Sequence, residues 1–129
     1  TITWIKTNTS KSDTIAVLPE GAMINYFAER INPTPFINLM PPEIIMFGEN
    51  RILEAFKLTP PDYIILVHKD TSEYGVRFFG KEYGVLIMDW LKQNYRTVKV
   101  FGKEPLQKDK GGILIAIRKD RFEGNKKLY

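Results

Sequence analysis

Pro60-Pro61-Asp62-Tyr63-Ile64-Ile65-Leu66-Val67-His68-Lys69-Asp70-Thr71-Ser72-Glu73-Tyr74 decides how this chain folds. Its middle, Tyr63 to Val67, is an unbroken run of aromatic, β-branched and aliphatic side chains without helical spacing. Prolines and an aspartate bound it on one side and a polar cluster on the other. A strand covered on both faces has this signature, and such strands lie inside sheets with helices packed above and below. In sheets of that kind ligands bind beyond the carboxyl ends of the strands. The segment from His68 to Tyr74 therefore falls where a site would be.

Upstream, Thr14 to Leu18 is a second short apolar run, closed by Pro19, which cannot continue a ladder inside a sheet. Glu20-Gly21 then turns the chain into a helix over residues 22–30, where Met23, Tyr26 and Phe27 recur at helical spacing. Gly21 makes the turn; a phosphate cradle would need the further glycines of the dinucleotide fingerprint, which are missing. Residues 31–42 hold four prolines in twelve positions and read as an extended crossing loop. Its Phe36, Ile37, Leu39 and Met40 either pack onto the domain or face a partner. Residues 43–58 form an amphipathic pattern that Gly48 is placed to kink or divide, and Thr59-Pro60-Pro61 ends it.

Downstream, residues 70–80 are a polar loop, and residues 81–94 return to helix with Tyr83, Leu86, Ile87, Trp90 and Leu91 on one face. Tyr95 to Phe101 alternates, as a strand nearer an edge does. Ile113 to Ile117 is the last strand; with no helix before it, it pairs antiparallel with its predecessor. Thr1 to Asn8 reads as a short helix in preference to a strand. The expected fold is α/β, a small three-layer sandwich. Its mostly parallel four-stranded sheet has strands at about residues 14–18, 62–68, 96–101 and 112–118, the last antiparallel.

A chain of 129 residues is one domain of ordinary size, spanning residues 1–129. Apolar residues at 43% and charged residues at 26% describe a globular protein. The absence of cysteine excludes disulfides, thiolate metal sites and a Cys nucleophile. The net charge of +4 is concentrated late, in Arg118, Lys119, Arg121, Lys126 and Lys127, which read as a solvated, frayed tail in preference to a site for phospholipid headgroups. No basic helix, zinc pattern or ribonucleoprotein motif points to nucleic acid. No apolar run here has the roughly 18 residues of a membrane span, and no signal peptide opens the chain. The abrupt start at Thr1 reads as that of an excised fragment.

If the first two strands are parallel neighbours, Glu20 and the His68 to Glu73 loop share one rim, joined by Asn25, Tyr26 and Arg30 from the helix over residues 22–30, a grouping suited to a sugar, a phosphate or a metal. Glu20, Asn25, Arg30, His68, Asp70, Ser72 and Glu73 are the candidate ligand- or partner-binding residues. The same residue types also suit caps and turns. Ser72, His68 and Asp70 are not expected to form a triad, because a triad's base and nucleophile converge from separate segments. One histidine among carboxylates lacks a metal-ligand spacing, so neither metal nor cofactor is expected.

Several phrases occur together: Val17-Leu18-Pro19-Glu20-Gly21, Asn25-Tyr26, Arg30, Asn32-Pro33-Thr34, Pro61-Asp62-Tyr63, His68, Asp70 to Gly75, Phe79-Gly80, Tyr83-Gly84, Trp90 and Asn94-Tyr95. In combination, over about residues 14–118, they resemble the soluble C-terminal domain of bacterial membrane glycosyltransferases similar to the dolichyl-phosphate-mannose-protein mannosyltransferase group. The resemblance implies a domain that follows the last membrane helix and stands on the extracytoplasmic, periplasmic face of the inner membrane. It also implies a polyprenyl-phosphate sugar donor, with the catalytic carboxylate in the membrane body. No stretch of this chain matches that body, so no catalytic residue carries over. The implied partners are the membrane body of the same polypeptide and a polar acceptor or lipid headgroups. The alternative is a free-standing module binding a small sugar or phosphate at the strand rim.

Overall fold

The computed structural model describes residues 1–108 and 110–121. In order they form α1 (Ile2–Asn8), β1 (Ile15–Leu18), α2 (Ala22–Ala28), α3 (Pro41–Phe47), α4 (Glu49–Leu58), β2 (Tyr63–Val67), a 3-10 turn (Ser72–Tyr74), α5 (Val85–Asn94), β3 (Tyr95–Phe101) and β4 (Ile113–Arg118). The sheet order is β1-β2-β4-β3. As the sequence predicts, β2 is an interior strand and runs parallel to β1, with Ile15 opposite Tyr63 and Leu18 opposite Leu66.

The mostly parallel sheet is corrected. β4 enters between β2 and β3 and is antiparallel to both, so β1 with β2 is the one parallel pair among the described residues. β1, β2 and β3 point the same way, yet β3 never reaches β2. The cause is composition. Ile113 to Ile117 is nearly as apolar as β2 and gains most from being covered on both faces, whereas β3 carries exposed Arg96, Thr97 and Lys99 and belongs at an edge. A bulge between Thr97 and Lys99 further breaks the regular alternation of β3.

Helices cover both faces of the sheet. Ile15, Val17, Tyr63, Ile65, Ile115 and Ile117 point to one side, where Ile5 of α1 and Ala28 of α2 meet them. Ala16, Leu18, Ile64 and Ala116 point to the other, against Ile52 and Phe56 of α4 and Ile87 and Leu91 of α5. The proline-rich stretch packs through Leu39 and Met40, and the Leu39 N–H donates to the Pro19 carbonyl at 2.7 Å.

The helices depart from the sequence reading in places. Pro41 and Pro42 are not loop but open α3 at its first positions, where a missing N–H costs nothing and the fixed φ suits a helix. The pattern over residues 43–58 is divided at Gly48, as its place there suggests, and a φ of 84° ends α3 and starts α4. On α2 the face carrying Met23, Tyr26 and Phe27 lies in solvent. The opposite face is held down instead, because the Asn25 amide donates to the carbonyls of Ile15 (2.8 Å) and Arg30 (2.9 Å). α5 also starts late, at Val85, after a turn closed by the Gly80 N–H on the Tyr83 carbonyl.

The frayed tail is corrected too, as far as residue 121. Asp62 Oδ2 accepts from the Thr14 N–H (2.8 Å) and hydroxyl (3.2 Å), while its Oδ1 lies 3.6 Å from Arg118 and 3.4 Å from Arg121. The Arg118 N–H donates to the Asp62 carbonyl at 3.0 Å, and Arg121 also grips the buried Asp13 at 2.6 Å. Lys126 and Lys127 lie outside the described residues.

This cluster ties the start of β1, the start of β2 and the end of β4 to one carboxylate. Asp62→Ala leaves the Thr14 N–H without its acceptor and removes the carboxylate shared by Arg118 and Arg121, which keep Asp120 and Asp13, and is expected to cost about 1–3 kcal/mol. Asp62→Asn keeps an acceptor for Thr14 and is expected to cost less. Urea denaturation of the two variants checks the order.

Candidate functional site

Because β1 and β2 are parallel and finish level at Leu18 and Leu66, Glu20 and the loop from His68 emerge on one rim. Glu20 pairs there with Lys69 at 3.2 Å, an exposed bridge of the kind that contributes little to stability. Asp70 caps its own turn. It accepts from the Ser72 N–H (2.9 Å) and from the Ser72 hydroxyl, and it pairs with Arg77 at 3.0 Å. The two Ser72 bonds, with Arg77 behind them, hold the Asp70 carboxyl down at about 2.

His68 Nδ1 accepts the Leu106 N–H at 3.0 Å, which requires that nitrogen bare and leaves the proton on Nε2. The ring lies 5.4 Å from that of Phe78. Buried Thr71 donates its hydroxyl to the Val76 and Arg77 carbonyls and its N–H to Arg77, pinning the far side of the loop. Arg77 donates to the Lys108 carbonyl at 3.3 Å and lies over the Phe78 ring. Glu73 is exposed and has no ion pair among the described residues.

Asn25 and Arg30 do not join this rim. α2 leads the chain away from it, and by Arg30 the backbone is beside the start of β1, where the Ile15 N–H donates to the Ile31 carbonyl. Buried Arg30 donates to Thr9 Oγ1 (3.0 Å) and to the carbonyls of Thr9 (3.2 Å) and Ala28 (2.9 Å), fastening the end of α1 to the end of α2. Both side chains fasten the fold, and both also line a shallow hollow with Tyr26, Ile31 and Ile37, away from the rim.

Most rim groups have partners. The Ser72 hydroxyl is turned to Asp70 and His68 to a backbone amide, so the imidazole does not stand beside the Ser72 hydroxyl as a triad requires. No group of three carboxylates or imidazoles among the described residues is placed to hold a metal ion. The Tyr83 hydroxyl is buried near Thr71 without a hydrogen bond of good geometry among the described residues, and burial, against the lowering effect of Thr71, pushes it up to about 12. It is a phenol at any physiological pH. The chain matches no protein-family model, no curated protein and no solved structure.

Two rim residues escaped the sequence reading of contacts, Lys69 and Arg77. The signal for Arg77 is a cation seven positions after Asp70 across a turn that closes at Gly75. A half-open cleft lies elsewhere among the described residues, between α5, β4 and the loop after β3.

A carboxyl with a lowered pKa stabilises its folded loop at pH above its ordinary value of 3.8, and that contribution disappears as pH falls through about 2. Amide exchange at Ser72 and Gly75 is therefore expected to accelerate on acidification across that window. Asp70→Ala is expected to show the same acceleration already at neutral pH, and Glu73→Ala to show none.

Proposed function

We propose that this chain is a non-catalytic accessory domain, carried on the extracytoplasmic, periplasmic face by a membrane-embedded glycosyltransferase that uses a polyprenyl-phosphate sugar donor. The family reading rests on the sequence resemblance; the accessory role has support in the geometry. The observation that carries it is an apolar surface around α2. Met23 (60% exposed), Tyr26 (73%) and Phe27 (51%) stand in solvent beside Ile31 (74%) and Ile37 (57%). Tyr26, Ile31 and Ile37 line one shallow hollow, and the Tyr26 and Phe27 rings are 5.3 Å apart. Large apolar side chains grouped in this way mark docking surfaces.

The rim supports the non-catalytic half of the reading, since Ser72 is bonded to Asp70, Glu20 is paired with Lys69 and the His68 imidazole is spent on the Leu106 backbone N–H. The same pairings weaken the alternative of a free-standing sugar or phosphate binder at that rim. In the accessory reading α2 meets the membrane body of the same polypeptide, and the transferase carboxylate lies in that body.

Tyr26→Asp with Phe27→Asp is expected to change the stability of the isolated chain by only about 0.5 kcal/mol per exposed site. In the whole transferase the same pair is expected to lower sugar transfer. The isolated chain is expected to transfer no sugar from a lipid-linked donor, and turnover by it alone would sink the proposal.

A further inference from the structure

Helical cover on the α4/α5 side of the sheet is incomplete over β4 and β3. Between α5 and these strands lies a cavity of about 260 Å³ whose walls include Ile64, Leu66, Met88, Leu91, Leu114 and Ala116. A second, of about 120 Å³, shares Leu66, Met88 and Leu114 with it and is bounded by Pro105 and Leu106 of the loop after β3. Together they form one apolar cleft at the lower end of the size range of small-molecule sites, about 300 Å³. Met88, unbranched and polarizable, is the side chain best able to adjust to what enters.

The polar residues of the cleft are the neutral Tyr95, Thr97 and Gln107 and three charged ones. Lys92 lines both cavities and Lys81 the second, both are exposed, and neither ammonium has a carboxylate within ion-pair distance among the described residues. The Glu104 carboxylate also lines both and is exposed. Two cations against one anion leave the lip positive. An apolar trough with unpaired ammonium groups at its lip matches a molecule with a hydrocarbon chain and an acidic end.

We propose that this cleft binds an anionic single-chain amphiphile. The chain lies along Leu66, Met88 and Leu114, and the carboxylate or phosphate head meets Lys81 and Lys92. The site is separate from the α2 surface and lies beside the strand rim, sharing Leu66 with it, and it does not depend on the accessory-domain reading. The Leu106 N–H bond to His68 holds the loop that forms one wall, which connects the cleft to the imidazole at the rim.

The test titrates the 129-residue chain with octanoate, octyl phosphate, octylamine and inorganic phosphate, following the methyl resonances of Leu66, Met88 and Leu114 and the heat of binding. Either acid is expected to bind and shift those methyls, the stronger of the two naming the head group. Octylamine and inorganic phosphate are expected to bind about tenfold more weakly or not at all. Lys81→Ala with Lys92→Ala, both at exposed positions, is expected to keep the folded spectrum and weaken octanoate about tenfold. Equal binding of octylamine, inorganic phosphate binding as well as octyl phosphate, an unchanged affinity in the double variant, or shifts confined to Met23, Ile31 and Ile37 would each overturn the proposal.

Discussion

One carboxylate sets where three strands begin and end. Asp62 receives the amide and hydroxyl of Thr14 from β1 and faces the guanidiniums of Arg118 and Arg121 beyond β4. Its own backbone takes part as well, since the Asp62 N–H donates to the Thr14 hydroxyl and its carbonyl accepts from Arg118. This matters because the two faces of the sheet are both buried. A slip of one residue would turn every β2 side chain to the opposite layer. Tyr63 and Ile65 would then meet α4 and α5, and Ile64 and Leu66 would meet α1 and α2, where the spaces have other shapes. The register fixed at the start of the strands therefore governs both layers, and through them which loops meet at the finish.

That shared finish brings Glu20 to Lys69 and starts the Asp70 turn, but it assembles a braced loop and leaves the apolar cleft to another part of the fold. The space arises where α5 alone covers the β4 and β3 end of the sheet. The exposed apolar surface arises from a different economy. α2 is seven residues long, and its inward face is occupied by Ile24, Asn25 and Ala28, so Met23, Tyr26 and Phe27 are left outside.

What the sequence discloses follows from which physical rules are local. The burial of Tyr63 to Val67, the division of a helix at Gly48, the edge character of β3 and the antiparallel last pair are all written in short stretches. The place of β4 is not, because strand order is a matter of which apolar run gains most from two covered faces. The Ile113 to Ile117 run held the clue, being almost as apolar as β2. Helical spacing of Met23 and Phe27 reads the same whether that face is buried or bare, and only the backbone bonds of Asn25 decide it. Asn25 and Arg30 looked like rim residues because the start of α2 is at the rim. Yet seven residues of helix advance the chain by about 10 Å, most of the length of a four-residue strand, and carry it to the opposite end.

The late insertion of β4 also has a bearing on how the molecule comes into being. During synthesis β1 and β2 emerge first, and the inner margin of β2 stays open until residues 113–118 have left the ribosome. Until then its amides and carbonyls are a bare template, and closing them requires pairing across some fifty positions, a non-local step that slows folding. The nascent domain is thus most vulnerable to intermolecular pairing just before its last strand arrives.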